Sequence, residues 1–301
     1  MKTYDVIIVG GSYAGLSAAM ALGRALRSVL IIDSGKPCNR QTPHSHNFIT
    51  HDGENPAVIA VRAREQVLRY ATVTWLQDTV VKTSGSVNNF LVETAQQEKF
   101  AAQRLLFTTG IKDILPDIPG FAECWGISAI HCPYCHGYEV RGQQTGIVSN
   151  GDIALVFSNL IHQWTKTLTL FTNGPATLQP EQRNVLQQKG IGVVEKTIKA
   201  LDHQDGYLQQ LVFTDGSNFP LTALYSRPVM QQHCDQLVAM GCECTDTGFI
   251  KVDDFMQTNI PGVYAAGDNT SPLRSVASAV AAGNRAGAMI NHHMIDDLSG
   301  H

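Results

Sequence analysis

A strand, a glycine-rich turn, a helix and a second strand ending in an acid open this chain, and few folds accept that order. Val6–Val9 is apolar, Gly10-Gly11-Ser12-Tyr13-Ala14-Gly15 follows, Leu16–Leu26 is rich in Ala and Leu, and Ser28–Ile32 runs into Asp33. The pattern predicts a βαβ unit built to hold a dinucleotide. Gly10 suits the tight turn, and Gly15 lets the helix lie close to the sheet. The free N–H groups at the helix N-terminus face a pyrophosphate. Ser12 stands where the motif has its middle glycine. Its side chain is small, and its hydroxyl can itself bond a phosphate. Asp33 sits where a carboxylate can hold ribose hydroxyls.

A second unit of the same kind is expected later, with Thr145–Val148 as a strand, Ser149-Asn150-Gly151 as a turn, Ile153–Trp164 as a helix and Thr167–Phe171 as a strand. Between the two, Pro56–Tyr70 reads as a helix. Val73–Leu76, Val80–Lys82, Phe90–Glu93 and Arg104–Phe107 read as strands, with Gly85 and Asn88-Asn89 marking a turn. Ile114–Pro119 carries two prolines and is a candidate linker. Val193–Ile198, Leu208–Phe213 and Ala223–Tyr225 add strands, and Val276–Ile290 is a final helix whose Ala and Gly suit close packing against backbone or cofactor. The fold class is therefore α/β, and 301 residues are enough for about two domains.

Composition removes several functions. Basic residues number 22 against 26 acidic ones, which is no footprint for nucleic acid or an anionic membrane. No apolar run approaches the roughly 18 residues of a spanning helix. The first strand begins too near Met1 to leave room for a signal peptide, so a cytoplasmic protein is expected. The chain has seven cysteines, too few for a disulfide scaffold.

Two of those cysteines stand in His131-Cys132-Pro133-Tyr134-Cys135-His136-Gly137-Tyr138-Glu139. C-x-x-C at the start of a helix brings two sulfurs close enough to form and break a disulfide, and favours the attacking thiolate. A neighbouring histidine can shuttle the proton. Read as a string, the segment is also a C-x-x-C-H haem-attachment site, but such attachment generally needs export. Zinc needs four ligands; no second C-x-x-C exists, and Cys242-x-Cys244 has the wrong spacing. His44 and His46 form an H-x-H pair that suits either a metal or a cofactor wall; no metal site is assigned. Cys38, Cys124, Cys234, Cys242 and Cys244 read as small packing or surface residues.

The order glycine turn, Asp33, Thr108-Thr109-Gly110, Cys132-x-x-Cys135, second βαβ, then Gly262-Val263-Tyr264-Ala265-Ala266-Gly267-Asp268 resembles the low-molecular-weight thioredoxin reductases, among the pyridine nucleotide-disulfide flavoproteins. The resemblance covers nearly the whole chain. It implies two Rossmann-like dinucleotide-binding domains of the three-layer ββα type, the second inserted in the first. Residues 1–115 and 239–301 would bind FAD, and 116–238 would form the central domain carrying the cysteines. Gly10, Ser12, Tyr13, Ala14, Gly15, Asp33 and Ser34 would hold the ADP half of FAD. Asn39, Arg40, Gln41, His46, Val80, Thr109 and Gly110 would line it further along. Gly267 and Asp268 would take the ribityl–phosphate region, with Arg274, Ser275 and Val276 near the flavin. Cys135 would lie against the flavin, Cys132 would attack the substrate, and a cationic His136 would serve as acid/base beside the thiolate. Members are usually homodimers.

Two departures bear on function. The family places an Asp directly after the second cysteine; here His136 makes the segment similar to a side branch, the dithiol oxidases of the gliotoxin and holomycin type. The second nucleotide turn, Ser149-Asn150-Gly151-Asp152-Ile153-Ala154, lacks the first glycine of G-x-G-x-x-A, and Phe171-Thr172-Asn173-Gly174 offers no cation for a 2′-phosphate. The resemblance thus implies an FAD-dependent thiol–disulfide oxidoreductase whose use of NAD(P)H is open. Its partner would be a thioredoxin-like protein or a small-molecule disulfide or dithiol, with ferredoxin or oxygen as the alternative redox partner. A non-enzymatic flavin redox sensor is the competing class.

Overall fold

A computed structural model describes residues 1–299. Val6, Ile7, Ile8, Val29 and Ile31 have no exposed surface, because the strands they belong to are covered on both faces. Strands Val73–Gln77, Val29–Asp33, Lys2–Val9 and Lys99–Phe107 lie side by side in that order, all parallel. The long strand Lys99–Phe107 then divides its free edge. Its first half pairs antiparallel with Asn89–Thr94, which continues to Val80–Ser86. Its second half pairs in parallel with Val263–Ala265, from the far end of the chain. Both ends of the sequence thus complete one sheet.

Helix Tyr13–Arg24 covers that sheet and packs along the last helix, Val276–Ser299. The approach is close: a Cβ on Gly283 would stand 2.0 Å from the carbonyl oxygen of Ala14. The glycine and alanine content of the last helix therefore serves contact with the first helix. Leu16, Ala19, Leu22, Ala286 and Ile290 share the resulting core.

The middle of the chain builds a second body. Strands Gly192–Val194, Leu168–Phe171, Thr145–Val148, Ala223–Ser226 and Ala129–Ile130 form an all-parallel sheet in that order. A three-stranded antiparallel sheet, Ile198–Gln204, Tyr207–Phe213 and Asn218–Pro220, packs beside it. The central strand of each parallel sheet leads into a glycine turn and a helix, as the duplicated motif requires.

Three expectations change in the structure. Gly85 is no turn residue; it lies inside strand Val80–Ser86 at φ +97°, and the reversal falls at Val87 and Asn88. The run Val193–Ile198 is broken between Gly192–Val194 and Ile198–Gln204, which belong to different sheets. Residues near the candidate linker are ordered: Ile111–Ile114 pairs antiparallel with Val229–Gln232, so the outgoing and returning crossings form a two-stranded ribbon. By Gln236 the chain is back on the first body, where the Gln236 side chain accepts from Thr83 N and donates to Val81 O.

Candidate active site

The cavity between the two bodies has a volume of about 800 Å³, within the range of small-molecule and cofactor sites. Gly10, Ser12, Tyr13, Ala14, Asp33, Ser34, Asn39, Gln41, His46 and Val80 line it, as do Thr109, Gly110, Gly267, Asp268, Arg274, Ser275 and Val276. Cys135 and His136 reach it from the central body. Gly15 and Arg40 are not on its wall. A Cβ on Gly15 would meet Gly10 O at 2.0 Å, so this glycine sets the contact between turn and helix. Arg40 is exposed and donates to Pro37 O at 3.3 Å.

The first turn is shaped as its residues require. Gly10 adopts φ +105°, and any Cβ there would lie 2.5 Å from Thr108 O. Ser12 occupies the N-cap without a side-chain capping bond, and the first turn of the helix holds no acid. Its hydroxyl and the leading N–H groups remain available to an anion. Asp33 accepts from Gly11 N at 2.6 Å and from Gly35 N at 2.7 Å, so it braces the loop as well as facing the cavity. The Thr109 hydroxyl is buried without a partner. An open helix N-terminus, an unpaired hydroxyl and a long cavity together fit a bound FAD.

At the other end of the cavity Arg274 makes a two-pronged contact with Asp113, at 2.7 and 3.2 Å, and lies 3.4 Å from Asp268. Burial opposes its charge, but these carboxylates hold it protonated. Burial pushes the Asp268 carboxyl up, and Arg274 partly offsets this. Asp113 carries no motif, and only the fold reveals it as the partner of a residue so distant in sequence.

Cys132 sits at the N-terminus of the short helix Pro133–His136, with its sulfur 2.6 Å from that of Cys135. The Cys135 thiol donates to Cys132, and backbone N–H groups of Cys135 and Tyr134 help; together they overcome burial and draw Cys132 down to about 7. The same hydrogen bond, burial and the charge on Cys132 push Cys135 far up. Within the pair ionisation is thus favoured at Cys132 over Cys135, and Cys135 faces the large cavity.

Burial corrects the expectation of a cationic His136. Desolvation, with His46 adding to it and Glu139 opposing, pulls its imidazole down to about 4. The group is neutral near pH 7, so the lowering at Cys132 comes from the N–H donors and Cys135 rather than from a cationic histidine. His131, to which the sequence assigned no role, lines the cavity against Trp125, with ring centroids 5.9 Å apart. Burial and then Arg274 bring it to about 4 as well. Its place directly before Cys132 was the available signal. No group of three metal-ligating side chains occurs among the described residues.

At the second glycine turn, Asn150 fills the space that a bare turn would leave. Its side chain accepts from Gly151 N and Thr177 N at 2.9 and 2.8 Å, and donates to Pro175 O at 2.9 Å. Asp152 places a carboxyl in the first turn of helix Asp152–Ile161, where a phosphate would need positive potential. Asn173 caps Ile198 N at 2.7 Å.

The chain matches the pyridine nucleotide-disulphide oxidoreductase family over residues 4–286, and it belongs to that family. It is similar to a thioredoxin reductase, tcpT, of Claviceps purpurea, with 32% identity over 98% of this chain and 96% of the relative. It is likewise similar to the thioredoxin reductase sirT of Leptosphaeria maculans, at 31% identity over 96% and 93%. Among solved structures, an oxidoreductase from Agrobacterium tumefaciens superposes with a TM-score of 0.91, at 36% identity, covering 98% of this chain and 99% of that one. The protein is an FAD-dependent disulfide oxidoreductase of the thioredoxin reductase type. Among the described residues no helix is long and apolar enough to cross a membrane.

Proposed function

We propose that Cys132 exchanges with a substrate thiol or disulfide, that Cys135 is the flavin-side sulfur, and that the second nucleotide turn does not accept NADPH. The carrying observation is that Cys135 lines the cavity that fits FAD whereas Cys132 lies off it, with its thiol drawn down to about 7. The Cys132 thiolate attacks one sulfur of a substrate disulfide, breaks that S–S bond, forms a mixed disulfide and expels the other substrate sulfur as a thiolate. Cys135 then displaces the substrate sulfur, and His136 takes the Cys135 proton. In the oxidative direction the same bonds form and break in reverse. FAD, when bound, supplies the two-electron partner of the pair. The residues on the cavity wall from 1–115 and 239–301 would hold it, with 116–238 presenting the cysteines, and the working unit would be a homodimer in the cytoplasm.

A second reading, oxidation of a small dithiol with ferredoxin or oxygen as the other redox partner, draws support from the second turn. Asn150 occupies it, and Asp152 opposes a phosphate there. Anaerobic reduction of the purified holoprotein separates the readings. Bleaching of the flavin by a small dithiol but not by NADPH or NADH is expected. Recovery on admitting air at a rate that sustains dithiol turnover selects the oxidase. Fast bleaching by NADPH would overturn the assignment of the second turn, and turnover by Cys132→Ser would overturn the role of the pair.

A further inference from the structure

Outside the cysteine helix lies a hollow of about 260 Å³, lined by His46, Asn47, Asp52, Pro133, Tyr134, Tyr138, Glu139 and Trp164. His46 is on its wall and also on the wall of the large cavity that contains His136. Its two ring nitrogens face different carboxylates. Nε2 is 3.6 Å from Glu139 Oε1, and Nδ1 is 3.6 Å from Asp52 Oδ1. The His46 side chain is 19% exposed, whereas that of Asp52 is 69% exposed. We propose that His46, held between Glu139 and Asp52, carries the proton of the thiol–disulfide reaction between the cavity that holds His136 and the solvent. The inference rests on the proposed function and gives His46 a task beyond lining the cofactor.

The chemistry requires such a passage. Oxidising a dithiol breaks two S–H bonds and forms one S–S bond; the electron pair and one proton pass to FAD, and one proton leaves. In the reductive direction a proton enters. His136 is buried and can accept a proton but cannot store it, so a second base must pass it on. His46 and His136 line the same cavity, and the charges of His46 and Glu139 act on His136 in opposite directions. The loop that carries His46 is built to hold it. Ser45 and Glu54 pair antiparallel, with Ser45 N donating to Glu54 O at 2.8 Å and Gly53 N to Ser45 O at 2.8 Å. Asp52 Oδ1 is fixed by Asn47 N at 2.7 Å. His44, whose ring lies 6.3 Å from that of His46, is tied through Nδ1 to Gly53 O at 3.0 Å. The ionisable groups facing His46 are therefore Asp52, Glu139, His44 and His136.

The test compares wild type, His46→Gln and Asp52→Asn as holoproteins. FAD per chain is measured by absorbance, and anaerobic bleaching by dithiothreitol is followed across pH, with and without added imidazole. A relay predicts that in His46→Gln the bleaching rate per bound FAD is slowed by about tenfold or more. It also predicts a rate that recovers as imidazole is added, and a smaller loss in Asp52→Asn. Slowing per bound FAD that imidazole does not rescue would show a purely cofactor-holding role and overturn the relay. An unchanged rate in His46→Gln, with wild type bleached normally, also overturns it. Failure of dithiothreitol to bleach wild type overturns both the relay and the proposed function.

Discussion

Cys132 and Cys135 are separated by two residues, yet their environments push their thiols in opposite directions. The structure therefore predicts unequal chemistry. Iodoacetamide should label reduced Cys132 with a midpoint near about 7, and Cys135 should stay unlabelled through neutral pH. Cys135→Ala should raise the Cys132 midpoint, since it removes the side-chain donor to the Cys132 sulfur. Mass spectrometry of the labelled peptides decides, and equal labelling of both cysteines would contradict the hydrogen-bonded pair. His136 gives a second residue-scale prediction, with its sign fixed by linkage. Its folded value is near 4 against an ordinary 6.5, so below 6.5 the unfolded chain binds a proton that the folded site refuses. Stability is thus fully present above that window and falls as pH drops through it, by roughly 3 kcal/mol at most for this one group. Urea titrations at several pH values should show the fall, and His136→Gln should reduce it, leaving the share of the equally depressed His131. The residue types at this site were legible from the sequence. Their protonation was not, because burial is a property of what the other body lays over them.

At the scale of elements, the two end helices show how a local pattern acquires a partner. Alanines and glycines in Val276–Ser299 pointed to close packing, and the structure supplies helix Tyr13–Arg24 as the surface they meet. Gly283→Ala would drive a Cβ into the Ala14 carbonyl. The expected cost is about 1–3 kcal/mol, with a lower Tm and weaker FAD retention because the same helix frames the pyrophosphate end. An unchanged Tm would mean that the helices separate freely. At the second turn, Asn150→Gly should loosen the 172–177 loop and cost about 1 kcal/mol through lost hydrogen bonds. It should not create NADPH-driven bleaching, because Asn173 and Gly174 still offer no cation; bleaching in that variant would show that Asn150 alone closes the site. The turn signals around Asn88 and the second βαβ were readable. The split of residues 192–204 between two sheets was not, since Glu195-Lys196 between Val193-Val194 and Thr197-Ile198 is no turn signal that marks where one sheet ends and another begins.

For the whole molecule, two bodies with their own cores are joined by a ribbon of two crossings. Val6, Leu22, Leu106 and Tyr264 belong to one core, whereas Phe171, Leu211, Phe213 and Leu224 belong to another. Most of the cavity wall comes from the first body, so FAD should stabilise that body more than the central one by mass action. Calorimetry of flavin-depleted protein should resolve two transitions, and added FAD should raise one of them more than the other. A single transition that moves as a unit would mean that the bodies unfold together.

The sequence by itself determined the duplicated strand–turn–helix units, the reactive C-x-x-C, and the absence of a cation where a 2′-phosphate would sit. Each of these is carried by residues close together in the chain, where backbone geometry and side-chain chemistry act over a few positions. Only the tertiary structure decided that Asp113 holds Arg274, that His131 and His136 stand neutral, that Asn150 fills its turn, and that His46 bridges the inner cavity and the outer hollow. Those features depend on groups far apart in sequence and on desolvation, and both come into existence only when the two bodies close over the cysteine pair.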